Sequence, residues 1–130
     1  EVLYEGGLFV KTTVQPEFQE FADKALRHAL TSYDRRYGYR GPISSLKTTN
    51  DWKTQLLELR GMVPIYENQS LALVDAVTAA GAQVILPDDR KGTIPLEELK
   101  WARKDLGNLQ VGPAISKASD VLAPKDVVLV

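Results

Sequence analysis

The sequence predicts an α+β fold in which a strand and a long amphipathic helix precede a small β-barrel. Two patterns lead to this prediction: an apolar stripe at helical spacing in the first third, and short β-prone runs separated by turns in the second half. The 130 residues are 44% hydrophobic and 25% charged. A chain of this length and composition can bury a core, and it is too apolar for global disorder.

Charge and residue content exclude several classes of protein. The chain has 16 basic and 17 acidic side chains, so its net charge of −1 argues against nucleic-acid binding driven by phosphate neutralisation. Zero cysteines and one histidine exclude disulfide scaffolds and histidine-rich metal centres, and we expect no cofactor.

No apolar run approaches the roughly 20 residues that span a bilayer. Glu1 begins the chain without a signal-peptide pattern, and both ends are typical of a piece of a longer protein.

Residues 1–41 predict a strand followed by the long helix. The segment Gly7–Val14 is rich in β-branched and aromatic residues and predicts the strand. Pro16 suits the first turn of a helix, and Gly38 suits its end. The apolar stripe consists of Phe18, Phe21, Ala22, Ala25, Leu26, Ala29, Leu30 and Tyr33.

Residues 42–63 predict a linker that contains a short helix. The run Gly41–Ser45 has the composition of a turn. Asn50 or Asp51 can cap a helix that ends at Gly61. The apolar positions of that helix are Leu56, Leu57 and Leu59.

Residues 64–130 predict five short strands and a late helical turn. The predicted strands are Val63–Tyr66, Leu71–Thr78, Ala82–Leu86, Lys91–Pro95 and Asp126–Val130. Turns at Ala79–Gly81 and Pro87–Arg90 separate three of them, Leu96–Trp101 predicts the helical turn, and a loop follows it. Five short strands with a small helix inserted late are typical of a five-stranded Greek-key barrel of the OB type.

Three stretches together resemble the class A penicillin-binding proteins of the 1A type. The first, Glu5–Gln19, has a Gly-Gly pair, a strand, a Thr-Thr pair and a proline before a helix, and it resembles the start of their transpeptidase region. The second, Ala25–Pro42, resembles the end and exit of that helix. The third stretch resembles their inserted OB-like domain and consists of Lys91–Arg103, Ala118–Leu122 and Asp126–Val128.

The resemblance implies a non-catalytic interaction or spacer module of a bifunctional peptidoglycan synthase on the periplasmic side of the bacterial inner membrane. In this reading residues 1–41 are the leading strand and helix of the transpeptidase region, 42–63 are a linker, and 64–130 are the OB-like domain. The implied partner is the rest of the synthase. In some members such a domain also docks a regulatory protein, an outer-membrane lipoprotein activator.

Some residues imitate the motifs of penicillin-binding enzymes. Ser44 and Lys47 have the Ser-x-x-Lys spacing, and Tyr66–Asn68 imitates a second motif. The third motif, Lys-Thr-Gly or Lys-Ser-Gly, is absent, and Ser44 follows a turn. The adjacent acids Asp88–Asp89 and Glu97–Glu98 diverge, whereas glycoside chemistry needs carboxylates facing each other at about 5 to 9 Å. We therefore predict no catalytic residue in this chain.

Two segments are candidates for binding a partner protein. Arg35–Arg40 interleaves cations and aromatic rings, and Trp101–Arg103 combines two residue types favoured at interface hot spots. The structural alternative is that the arginines meet a helix C-terminus while the aromatic rings pack beneath them and against the barrel. The candidate residues are Arg35, Arg36, Tyr37, Tyr39, Arg40, Trp101 and Arg103.

Two other functions compete with this interpretation. OB folds bind oligomers, so an independent module that binds glycan strands or single-stranded nucleic acid is the alternative. A complete small enzyme is disfavoured, because no set of nucleophile, base and orienting group can be assembled from these residues.

Overall fold

The computed structural model describes residues 11–66 and 68–130, with a division into two compact units between Asp34 and Arg35. We number the elements in chain order. They are α1 (Pro16–Arg36), β1 (Ser44–Ser45), α2 (Trp52–Arg60), β2 (Leu71–Val77), β3 (Gly81–Ile85), β4 (Lys91–Pro95), α3 (Leu96–Leu99), β5 (Asp105–Gly107), β6 (Gln110–Val111) and β7 (Asp126–Leu129). A single 3₁₀ turn covers Ala118–Asp120.

Helix α1 confirms the helix predicted from the apolar stripe. Glu17 lies in its first turn and Arg35 and Arg36 in its last, which complements the helix dipole. None of its side chains is buried. Of the strand predicted before it, Gly7–Val10 lies outside the described residues, and Lys11–Val14 has no strand structure.

Five strands form one antiparallel sheet in the order β1-β7-β2-β3-β4. Strands β2, β3 and β4 follow one another as a meander, and β7 returns to pair with β2, placing Leu129 opposite Leu71 and Val127 opposite Leu73. The structure confirms the α+β class and the four predicted strands that correspond to β2, β3, β4 and β7. Among the described strands β1 and β4 are the sheet edges, so the barrel predicted from the sequence is not closed by strand pairing.

Two predictions in the second half were wrong. Val63–Tyr66 is not a strand, and the fifth strand of the sheet is instead Ser44–Ser45, which pairs with Val127 and Asp126. Pro64 has no backbone N–H to give to a sheet, which disfavours a strand at that position. The loop expected after Trp101 contains the hairpin of β5 and β6, whose strands of two and three residues are too short for a periodic signal.

Helix α2 confirms the predicted short helix, but it does not use the predicted side-chain cap. Asp51 precedes it with a φ of 55° and makes no capping hydrogen bond through its carboxylate. At the other end, the N–H of Gly61 donates to the carbonyl of Glu58, so the helix ends as predicted.

Two hydrophobic clusters hold the unit 35–130 together. The first consists of Ala72, Val74, Ala82, Val84, Leu99, Ala118, Leu122 and Val128. The second consists of Leu46, Leu56, Leu71, Leu73 and Val127. Because Leu46 and Leu56 come from the segment 42–63, that segment shares a core with β2 and β7.

Candidate partner-binding surface

Three of the predicted partner-binding residues contact one another. The ring of Trp101 meets that of Tyr39 edge-on, with centroids 6.0 Å apart and an interplanar angle of 90°. The guanidinium carbon of Arg35 lies 4.8 Å from the centroid of Trp101. A cation–π contact of this kind contributes about 0.5–1 kcal/mol at an exposed site, and an aromatic pair contributes about as much. These three side chains therefore have a structural role within the chain.

The backbone of Tyr39 joins this cluster to the segment that leads into β5. The N–H of Tyr39 donates to the carbonyl of Arg103 at 2.6 Å, and the N–H of Asp105 donates to the carbonyl of Tyr39 at 3.1 Å. Together they form a parallel bridge between Tyr39 and Lys104. Tyr39 thus pairs with Lys104, the residue just before β5, on the side of that segment that faces away from β6.

A glycine is required where the chain approaches this bridge. Gly38 has a φ of 92°, and a Cβ placed on it would lie 2.6 Å from the carbonyl oxygen of Arg103. The Nε of Arg103 in turn donates to the carbonyl of Gly112 at 2.6 Å. Arg103 was predicted as a partner-binding residue. Its hydrogen bond instead links the segment before β5 to the residue that follows β6.

The phenol of Tyr39 stays neutral over the physiological range. Burial raises the pKa of Tyr39 to about 12, and the negative charge of Asp126 adds to the effect. Asp126 is itself buried, and it accepts hydrogen bonds from the hydroxyl of Ser45 and, at 2.8 Å, from the N–H of Ala123. These bonds tie β1 to the start of β7.

An open cleft of about 620 Å³ lies beside the aromatic cluster. Residues from three segments line it: 39–41 in the first, 102, 104 and 105 in the second, and 113–116, 120 and 121 in the third. Its volume is in the range of small-molecule and peptide sites. Tyr39 and Arg40 are the predicted candidates that line this cleft.

Two carboxylates that line the cleft are engaged within the chain. Asp105 lies 3.7 Å from the Nε of Arg40. Asp120 accepts the N–H and the hydroxyl of Ser116 and the N–H of Lys117, each at 3.1 Å. The hydrogen bonds from Ser116, followed by that from Lys117, lower the pKa of Asp120 below its usual value.

The remaining candidates are not brought into the cleft. Arg36 ends helix α1 and is exposed, and Tyr37 follows it half-buried. Trp101 and Arg103 lie next to residues of the cleft wall but do not line it. The seven candidates therefore do not form one surface, and the cleft takes most of its lining from residues outside the predicted set.

Ser44 does not occupy the position of a penicillin-binding nucleophile. That nucleophile stands at the head of a helix with its lysine one turn further on, whereas Ser44 lies in β1 opposite Val127. In an extended chain, residues three apart are separated by about 10 Å, compared with about 5 Å along a helix. Ser44 and Lys47 thus have the spacing of the motif without its local structure.

Three of the four adjacent acids on the surface have cationic partners. Asp89 accepts from the Nζ of Lys53 at 2.5 Å, and Glu97 from that of Lys100 at 2.7 Å. Asp88 accepts from the Nε of Arg90 at 2.6 Å, and this hydrogen bond lowers the pKa of Asp88.

Within residues 11–66 and 68–130, no three histidine, aspartate or glutamate side chains are grouped as metal ligands. Over the same described residues, no helix has the length and apolarity needed to cross a bilayer.

Comparison with known proteins decides the family. The model of the penicillin-binding protein OB-like domain matches residues 39–130, which contain the sheet, both core clusters and the cleft. The chain belongs to this family. This match, together with relatives named penicillin-binding protein 1A, confirms the resemblance to class A penicillin-binding proteins of the 1A type.

The relatives of this OB-like domain are much longer proteins. Penicillin-binding protein 1A of Vibrio cholerae is 35% identical over 126 residues, which are 95% of this chain and 15% of the relative. The proteins of the same name from Pseudomonas aeruginosa and Escherichia coli are 33% and 30% identical, over 98% and 94% of this chain and again 15% of their own length. The chain thus spans about 15% of the length of the curated relatives that it matches.

The cleft is the feature of this OB-like domain that sequence reasoning missed. Its walls come from three separate segments, and residues 113–117 carry no periodic or motif signal. One clue was present in the sequence: Gly41 and Pro113, residue types that favour turns and loops, both line the cleft.

Proposed function

We propose that this chain is a non-catalytic interaction and spacer module of a bifunctional peptidoglycan synthase. The parent protein would combine a glycosyltransferase with a penicillin-sensitive D,D-transpeptidase and would act on the periplasmic side of the inner membrane. The observation that carries the proposal is the OB-like family match over residues 39–130, together with relatives named penicillin-binding protein 1A that align along nearly the whole chain.

The geometry of the imitated motifs supports the non-catalytic part of the proposal. Ser44 lies in a sheet strand, and the hydroxyl of its neighbour Ser45 is bonded to Asp126. Three of the four acids considered for glycosyl transfer, Asp88, Asp89 and Glu97, accept hydrogen bonds from cations instead. The chemistry of the synthase is then carried by parts of the parent outside residues 35–130.

The module proposed here begins near Arg35 rather than at residue 64. Strand β1 is an edge of the main sheet, and Leu46 and Leu56 belong to its second core cluster. Its partners would be the rest of the synthase and a regulatory protein such as an outer-membrane lipoprotein activator. The cleft is the surface that the module offers to such a partner.

A chimera tests the proposal. Residues 39–130 would replace the matching segment of the Vibrio cholerae relative, and labelling with fluorescent penicillin would be measured on a denaturing gel. We expect the chimera to be labelled as strongly as the parent, with Ser44→Ala in the chimera making no difference. Loss of labelling on Ser44→Ala, in a chimera that otherwise labels normally, would show that the module contributes the nucleophile and would overturn the proposal.

A further inference from the structure

The apolar face of α1 is open to solvent. Its large members are between 53% and 66% exposed, and no side chain of the helix is buried. With 3.6 residues per turn, they fall on about half of the helix circumference. Burial of apolar surface is the main favourable contribution to most protein association, so this face favours a second apolar surface that covers it. The large residues are Phe18, Phe21, Leu26, Leu30 and Tyr33.

The charges of α1 make it complementary to a second copy that runs in the opposite direction. Residues 16–25 carry three acidic side chains and one lysine, so their net charge is −2. Residues 27–36 carry three arginines and one aspartate, so their net charge is +2 with His28 neutral. An antiparallel pair of these helices places the negative half of each chain along the positive half of the other, whereas a parallel pair would place like charges together.

Glu17 and Arg35 fix how the two helices align. They are 18 residues apart, which is five turns of 3.6 residues, so they lie on the same edge of the apolar face. A two-fold axis brings the same surface of both chains together, and residue i then contacts j while j contacts i. With the axis at Leu26, midway between them, Glu17 of each chain lies opposite Arg35 of the other. The guanidinium of Arg35 keeps its charge where it stacks on Trp101, so the two contacts are compatible.

The same charges disfavour a membrane surface as the cover of this face. Helices that lie in the membrane interface are rich in lysine and arginine on their polar side. Helix α1 carries four such cations and four carboxylates, so its net charge is zero. It therefore lacks the attraction to anionic lipids that interfacial helices use.

We propose that the chain forms a two-fold dimer in which the apolar faces of two α1 helices pack antiparallel. Leu26 would lie on the axis against Leu26 of the second chain, and a pair of Glu17 and Arg35 would close each end. The inference goes beyond the proposed function, because it assigns a partner to the helix that precedes the OB-like domain.

The test is the mass of the whole chain by sedimentation equilibrium. From about 1 μM to about 300 μM, a range that covers weak association, the mass should rise from that of one chain toward that of two. Leu26→Glu should weaken association by about tenfold, because two carboxylates would meet at the axis. Leu57→Glu is the matched control. Leu57 lies in α2 and is 61% exposed, compared with 59% for Leu26, and its substitution should leave association unchanged.

An exchange of charges tests the antiparallel alignment. Glu17→Lys and Arg35→Glu should each weaken self-association by about tenfold, since both ends of the dimer then hold like charges. In an equal mixture of the two variants, every lysine or arginine at these positions would face a glutamate, and association should return to that of the natural chain. Loss of folding in either variant could not produce this recovery.

Several outcomes would overturn the inference. One is the mass of a single chain throughout the concentration range, whether α1 then exchanges its amides rapidly or is protected by the unit 35–130. The others are the same effect from Leu57→Glu as from Leu26→Glu, no recovery in the mixture, or binding to phosphatidylglycerol vesicles without self-association. None of them would alter the penicillin labelling of the chimera, which takes residues 39–130 and not α1, so the inference and the proposed function can fail separately.

Discussion

Gly38 combines a backbone conformation and a close approach that no other residue type satisfies. Its φ is 92°, and a Cβ would lie 2.6 Å from the carbonyl oxygen of Arg103 and 3.1 Å from a methyl of Val111. Gly38→Ala should therefore lose about 1–2 kcal/mol to the left-handed backbone alone, and more to the displaced segment. Urea unfolding followed by circular dichroism measures the loss.

Gly41 is the matched control for this substitution. Its φ is 110°, but a Cβ there would meet nothing within 4 Å. Gly41→Ala should carry only the cost of the backbone conformation. Equal losses for the two substitutions would contradict the close packing of Gly38 against the segment before β5.

Tyr39 makes the stability of the unit 35–130 sensitive to high pH. Its pKa in the folded state is raised to about 12, chiefly by burial, from an unfolded value of 10.0. The folded state therefore holds this proton more tightly, and the stabilisation is complete below pH 10 and is lost as the pH rises toward 12. Urea midpoints measured at pH 9 and at pH 11.5 should fall more for the natural chain than for Tyr39→Phe, and an equal fall in both would contradict the assignment.

At the scale of the element, one side-chain hydrogen bond reinforces the backbone pairing of β1 with β7. The hydroxyl of Ser45 donates to Asp126, which also accepts from the N–H of Ala123. Ser45→Ala should lower the free energy of unfolding by about 1 kcal/mol, because one hydrogen bond to a buried carboxylate is lost. The control is Ser44→Ala, which we expect to change stability by less than about 0.5 kcal/mol. A larger loss for Ser44→Ala than for Ser45→Ala would contradict the role given to the hydrogen bond between Ser45 and Asp126.

The elements that could be predicted from the sequence are those with a strong local pattern. Helix α1 follows an apolar stripe of several turns, and β2, β3, β4 and β7 are rich in β-branched or aliphatic residues or are bounded by turn residues. Strand β1 could not be predicted, since two serines become a strand only because β7 offers them a partner.

The candidate site was predictable only in part, for a related reason. The interleaved cations and aromatics of residues 35–40 and the pair Trp101 and Arg103 do meet in space, as the pattern indicated. Trp101 contacts Tyr39 and Arg35, and Arg103 bonds to the backbone of Gly112, which the sequence alone could not reveal. The cleft depends on three segments brought together by tertiary structure, and the φ of 63° at Leu109 in the adjacent hairpin follows no turn preference of leucine.

At the scale of the whole molecule, hydrogen exchange should divide the chain near residue 35. The amides of Leu46 and Leu56 should be protected nearly as well as that of Leu73, because all three residues belong to one core cluster. Amides of α1 should exchange faster, since none of its side chains is buried and most helical stability in proteins comes from tertiary packing. Rapid exchange at Leu46 and Leu56 would instead place the boundary of the module at residue 64.

The most direct test of the non-catalytic assignment is the intact mass of the purified chain after incubation with fluorescent penicillin. Ser44 lies in a strand, without a helix to bring Lys47 beside it. We expect an unchanged mass under conditions that fully label a full-length penicillin-binding protein 1A. A stoichiometric adduct that maps to Ser44 would contradict it.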